Sequence, residues 1–243
     1  MKIKFLSLVF FFSWVSIASA QKDEGIIQFE EKVNMHRSLP PDAADMKAMI
    51  PEFRTQKNEL LFNATESLYR NVEEEEEDEE IGGGGGVQIR MQRPESIYYR
   101  NFAAGRKTDF QQFFGKNYLV DDTLAKGNWK VAAETKEILG YTCLKATTVD
   151  TSRKREIVAW FTDALPLQTG PSQFGQLPGT ILEIDINNGE IVMSAKKVEF
   201  KKLEKGEIEA PKKGDKISDA EFKKIVADRL RENGGRQMRV IRN

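Results

Sequence analysis

Residues 170–184 read GPSQFGQLPGTILEI. Two proline–glycine breaks, Gly170-Pro171 and Pro178-Gly179, flank Phe174 and run straight into the apolar residues Ile181, Leu182, Ile184 and Ile186. Proline fixes φ and glycine admits φ > 0, so this stretch specifies a rigid, shaped turn that feeds a strand. Such a loop suits either a packed corner or the lip of a binding surface, for which Pro171, Phe174, Leu177, Pro178 and Gly179 are the candidate contact residues. It carries no arrangement for acid, base or nucleophilic chemistry.

Downstream, Leu182, Ile184 and Ile186 fall on one face of the strand 180–186, with Glu183 and Asp185 on the other, which predicts one wet face. Asn187-Asn188-Gly189 then leads into a strand over 190–200, with Asn-Gly supplying the φ > 0 angles of a tight two-residue turn. Upstream, 141–149 and 156–162 read as a hairpin joined by the charged turn 150–154. In the second of these strands Ile157, Ala159 and Phe161 alternate with Val158 and Trp160, so it is apolar on both faces and should be covered on both.

These motifs carry a resemblance. The segment Gln176-Leu177-Pro178-Gly179-Thr180-Ile181 resembles the signature of the GLPGLI family, small exported proteins typical of Bacteroidetes. The likeness extends to Trp129, to the run 134–146 with Gly140, Tyr141 and Cys143, to Trp160 within Ala159-Trp160-Phe161-Thr162, and to Gly170-Pro171, spanning about residues 25–200. Two signature positions depart: Gln176 stands for the first glycine and Thr180 for a leucine. The resemblance implies a fold and an exported location for a family of uncharacterised function, and it transfers no catalytic residue.

Before the second half, Ile26, Ile27, Phe29, Val33 and Met35 suggest an opening strand, and residues 42–50 a short helix with Asp42 as N-cap. Strands are expected at 58–62 and 67–70, and again around Ile97–Tyr99 and Phe110–Val120 on either side of turns at Gly105 and Gly115. Between them lies an insert, 73–86, made of an acidic block and five glycines with Ile81 as its one apolar residue; it buries too little surface to order itself. After residue 201 the chain turns basic. Ser218-Asp219-Ala220-Glu221 is a capping-box pattern before Phe222, Ile225, Val226 and Leu230 at helical spacing, predicting a helix over 219–232 that stops at Gly234-Gly235.

Residues 1–20 hold Lys2 and Lys4, an apolar stretch to Ile17 and Ala18-Ser19-Ala20, the pattern of a cleaved secretory signal. The apolar stretch falls short of the roughly 20 residues of a membrane span, so the expected product is exported, to the periplasm or cell exterior, and not membrane-spanning. The single cysteine, Cys143, excludes an intramolecular disulfide and leaves stability to a hydrophobic core. A formal net charge of −1 argues against nucleic acid as a partner.

Candidate chemistry is sparse. His36 is the lone histidine and sits before a Pro-Pro turn, with no nucleophile motif near it. Glu183 and Asp185 share a strand face, as paired carboxylates for acid and base work do, and equally as a solvated face does. No metal-ligand spacing is present; the acidic block lacks the spaced ligands of a formed calcium loop. Cys143 reads as a small core residue, although Lys145 lies on its strand face. The mid-chain aromatics, among them Tyr98, Tyr99, Phe110, Trp129, Tyr141 and Trp160, either fill the core or line a concavity that takes an apolar ligand.

The expectation is therefore an α+β fold: a curved, mainly antiparallel sheet, half-barrel-like, over 21–200, with a short N-terminal helix and a C-terminal helix within the basic segment 201–243. The function it suggests is that of a non-enzymatic exported binding or accessory protein of the envelope, without cofactor or metal, whose partner is an apolar ligand or another envelope protein. A carboxylate-based hydrolase and a module docking an outer-membrane transport system are the alternatives.

Overall fold

The computed structural model describes residues 23–40, 43–72, 95–151, 153–165 and 167–237. The expected signal segment 1–20, the insert 73–86 and the expected cap Asp42 lie outside the described residues. Twelve strands and two helices follow in order: β1 (Gly25–Asn34), a 3-10 turn (Met35–Ser38), α1 (Ala44–Met49), β2 (Phe53–Phe62), β3 (Glu66–Asn71), β4 (Ser96–Asn101), β5 (Arg106–Phe113), β6 (Lys116–Thr123), β7 (Lys130–Ile138), β8 (Tyr141–Asp150), β9 (Arg155–Thr162), β10 (Thr180–Ile186), β11 (Ile191–Phe200), β12 (Asp215–Ile217) and α2 (Asp219–Gln237).

All twelve strands belong to one open sheet in the order β12-β6-β5-β4-β3-β2-β1-β11-β10-β9-β8-β7. Two meanders, β1 to β6 and β7 to β11, are sewn together where β11 returns to pair with β1, Gly25 opposite Phe200 and Val33 opposite Ile191. Every pairing is antiparallel except the three-residue β12, which runs parallel to β6 at one edge. The fold is thus mostly β with two marginal helices, a correction to the α+β expectation. Helix α1 spans only Ala44–Met49 with no side-chain cap on Ala43 and no buried residue, and α2 packs at the sheet's edge, not across its face.

Seven strands match the sequence reading closely, including the hairpins β8–β9 and β10–β11. Two elements did not announce themselves. β7 is a polar edge strand, exposed along nearly its whole length, so it lacks the apolar alternation that marks a strand; β12 is too short to show any period. The β10–β11 turn also differs: Asn187, Asn188 and Gly189 all hold positive φ, at 55°, 52° and 85°, in place of a two-residue Asn-Gly turn. Helix α2 continues through Gly234-Gly235 to Gln237 instead of ending there.

The sheet opens inside the second meander, between β10 and β11, next to the seam. β10 and β11 pair only over Glu183–Ile186 and Ile191–Ser194, and an extra residue bulges each strand beyond that, Leu182 against β9 and Lys196 against β1. Bulges sharpen the local bend. Leu182 is thereby separated from Ile181, Ile184 and Ile186 and joins a core with Ile27, Phe29, Leu60 and Tyr69 of one meander and Ile138 and Cys143 of the other. A second core holds Ile157, Ala159, Phe161, Ile181, Ile184 and Met193. A third, around Leu61, Leu68 and Tyr99, is covered by Leu203, Ile208 and Ala210 of the segment after β11. Among the described residues no helix is long and apolar enough to cross a membrane.

Candidate functional site

The loop between β9 and β10, residues 163–179, carries the motif and lies across the junction of the two meanders. Its first part drops Leu165 and Leu167 against the core of Ile27, Phe62 and Leu182. Thr169 Oγ1 and Ser67 Oγ, 102 residues apart in sequence, share a buried 2.9 Å hydrogen bond, and the Tyr98 phenol hydrogen-bonds Ser172. The loop then turns back on itself: Gln176 N donates to Gln168 O at 3.0 Å and Ile181 N to Thr169 O at 2.9 Å. Leu177, 2% exposed, closes the second core beside Phe161 and Ile181. Trp129 Nε1 donates to Gly175 O at 2.9 Å while its ring rests against Phe174, centroids 6.5 Å apart.

Gly179 and Gln176 set the backbone of this loop. At Gly179, φ is +147° and a Cβ would lie 2.1 Å from Thr162 O, so no other residue fits without moving the strand. Gln176 holds φ at +65°, in the left-handed region that favours glycine. Of the five expected rim residues, Pro171, Leu177 and Gly179 are buried and Phe174 is half-buried. Only Pro178 is exposed. The loop is chiefly a packed corner.

Of the other motif residues, Trp129 joins the loop, and the rest do not form one surface with it. Tyr141, Cys143 and Trp160 lie with the first core, Trp129, Phe174 and Leu177 with the second. Gly140, at φ +81°, with Leu139 at +53°, makes the two-residue turn between β7 and β8. Cys143 is fully buried; burial, reinforced by the Glu183 carboxylate, pushes its thiol up to about 11, the opposite of what a nucleophile needs. Glu183 takes an ion pair from Lys136 at 2.7 Å, and Asp185 accepts Gly189 N at 2.6 Å to brace the turn. His36 Nε2 is 2.8 Å from Ile50 O, holding the β1–β2 connection. All three candidate polar groups are therefore engaged in structure.

Below the loop's first part is a cavity of about 290 Å³ lined by Asp23, Ile27, Phe62, Ala64, Leu165, Leu167, Thr169 and Thr180. Its walls belong to the core: Ile27 is 1% and Phe62 3% exposed. Thr180 Oγ1 donates toward Leu165 O and Leu167 O at 2.9 and 3.0 Å, which fixes the roof. Asp23 and Ala64 are exposed and form the mouth. None of these eight side chains was read from the sequence as lining a site, because they come from β1 and the residues before it, the β2 end and β2–β3 turn, and the β9–β10 loop with the start of β10, and only the fold brings them together. A second, open groove of about 660 Å³ lies between Lys32, Arg37, Phe53 and Asn188 at the opposite end of β1. There Arg37 Nη1 is bound to the carbonyls of Asn187 and Asn188 at 2.8 and 2.6 Å.

Residues 109–222 match the family described as N-glycanase peptide, N-terminal domain. Over that stretch the chain is similar to one domain of a larger enzyme. Two solved structures of PNGF-II superpose with TM-scores of 0.56 and 0.55, at 20% and 21% identity, over 84% of this chain. At that identity the likeness shows the fold, and the chain spans about a third of their length, 32% and 33%. No curated protein matches it.

Proposed function

We propose that this is a non-enzymatic exported protein of the bacterial envelope, a member of the GLPGLI family, that binds a small apolar ligand in the cavity beneath its motif loop. The observation that carries the reading is the cavity itself: apolar walls from rigid core strands, few polar groups and a mouth open at Asp23 and Ala64, the usual composition of a small-molecule site. The two meanders, bent at the bulges of Leu182 and Lys196, would make the sheet half-barrel-like, with the cavity at its open end. The carboxylate-hydrolase alternative has little to draw on, since Glu183 and Asp185 line neither cavity and are both tied to structural partners.

A second reading is favoured by the likeness to the N-terminal domain of a protein about three times as long. In it the chain is an accessory module that docks another protein, as a domain does its neighbour within one chain. Native mass spectrometry of the protein taken from its own envelope separates the two. A co-purifying small apolar molecule, lost on substituting Leu167→Trp, is the expected result. A stoichiometric protein complex without such a molecule would move the assignment to docking.

A further inference from the structure

We infer that the ligand of this cavity is a single-chain aliphatic amphiphile whose head group is cationic or otherwise a hydrogen-bond donor, not a carboxylate or phosphate; the inference rests on the binding reading above. Size comes first. About 290 Å³ is at the small end of ligand cavities, which run from roughly 300 to 1,000 Å³, and admits one alkyl chain against Ile27, Phe62, Leu165 and Leu167 but not a two-chain lipid.

The head group follows from the polar lining. Asp23 at the mouth is a carboxylate, an acceptor only. The Thr180 hydroxyl hydrogen is committed to the carbonyls of Leu165 and Leu167, so its oxygen is left to accept. The Thr169 and Ser67 hydroxyls are bonded to each other. Among the described residues no lysine, arginine or histidine lines the cavity. The Asp23 carboxylate and the Thr180 oxygen are therefore placed to receive a hydrogen bond, and the Ser67–Thr169 pair keeps a single O–H that could give one. An anionic head would meet the like charge of Asp23 and no cation among the described lining residues, while an ammonium or alcohol would find acceptors.

The test uses decylamine, decanol and decanoate as probes against the purified exported protein, with affinities read by titration calorimetry at neutral pH. Decylamine is expected to bind about tenfold or more tighter than decanoate, with decanol between them, and Asp23→Asn to shrink that preference to about threefold or less. Ala64→Trp, a change at an exposed position that leaves the core intact, should weaken all three probes while the circular dichroism spectrum stays unchanged. Decanoate binding as tightly as decylamine, or a preference indifferent to Asp23→Asn, would overturn the head-group inference alone. Binding of all three indifferent to Ala64→Trp would remove the ligand from this cavity. If none of the three binds, the binding reading falls along with it.

Discussion

At Gln176 the chain holds a left-handed backbone angle, φ +65°, where a Cβ crowds the following carbonyl at a cost of about 1–2 kcal/mol. The angle is imposed from both sides, by the bond from its own N–H to Gln168 O and by the burial of Leu177 next to it. Gln176→Gly should relieve the strain, less what the more flexible unfolded chain takes back, for a net gain of about 0.5–1 kcal/mol. That corresponds to a rise of about 2–4 °C in Tm per kcal/mol at this chain length, measurable by scanning calorimetry. A fall in Tm would mean that the Gln176 side chain holds the loop through contacts that outweigh its backbone strain.

Helix α2 is an element held by its first turn. Glu221 N donates to Ser218 Oγ at 3.2 Å and Ser218 N to Glu221 Oε2 at 2.8 Å, the reciprocal bonds of a capping box. Phe222 packs on Phe113 and Tyr118, ring centroids 6.0 and 5.6 Å away, and Asp219 bonds Lys107 Nζ at 2.5 Å. Ser218→Ala should cost about 1 kcal/mol, seen as lost helical ellipticity and faster amide exchange over 219–225 while exchange in the sheet is unchanged. Acid should act with the same sign. Partial burial raises the Asp219 pKa, but bonds from Lys107 and Lys223 more than offset this and hold the carboxyl below its ordinary range. The helix contact is therefore fully present above that range and lost as pH falls through it. Retention of full helicity in Ser218→Ala would show that the aromatic contacts alone hold α2. The capping box was readable from four consecutive residues, because a cap is a local device. The helix's C-terminal end was not, because a glycine pair weakens a helix without ending it.

Across the whole molecule, the motif loop ties one meander to the other. Ser67 sits on β3 and Thr169 on the loop after β9, both buried, 0% and 3% exposed. Removing one partner leaves the other a buried, unpaired hydroxyl, so Ser67→Ala and Thr169→Val should each cost about 1–3 kcal/mol. The double variant should cost clearly less than their sum. Urea unfolding of the four proteins checks this. Strict additivity would mean that the two hydroxyls are not coupled and that the loop packs on the meanders without clamping them.

What the sequence determined by itself is local in its physics. The period-2 apolar runs, the turn residues at Asn187-Asn188-Gly189, the rigid loop around Pro178-Gly179 and the Ser218 cap each depend on residues a few positions apart, and the structure carries them apart from a third left-handed residue in that turn and the break in alternation at Leu182. Only the tertiary structure decided which strands became neighbours at the seam, since the pairing of β1 with β11 joins residues from opposite ends of the domain and no periodicity encodes a partner. It also decided that Leu177 faces inward and that Leu182 changes cores, because a bulge shifts the side-chain alternation by one residue. The cavity is a consequence of the same long-range closure: Asp23, Phe62, Leu165 and Thr180 share no motif, and they meet because the loop that contains the motif is folded over the end of β1.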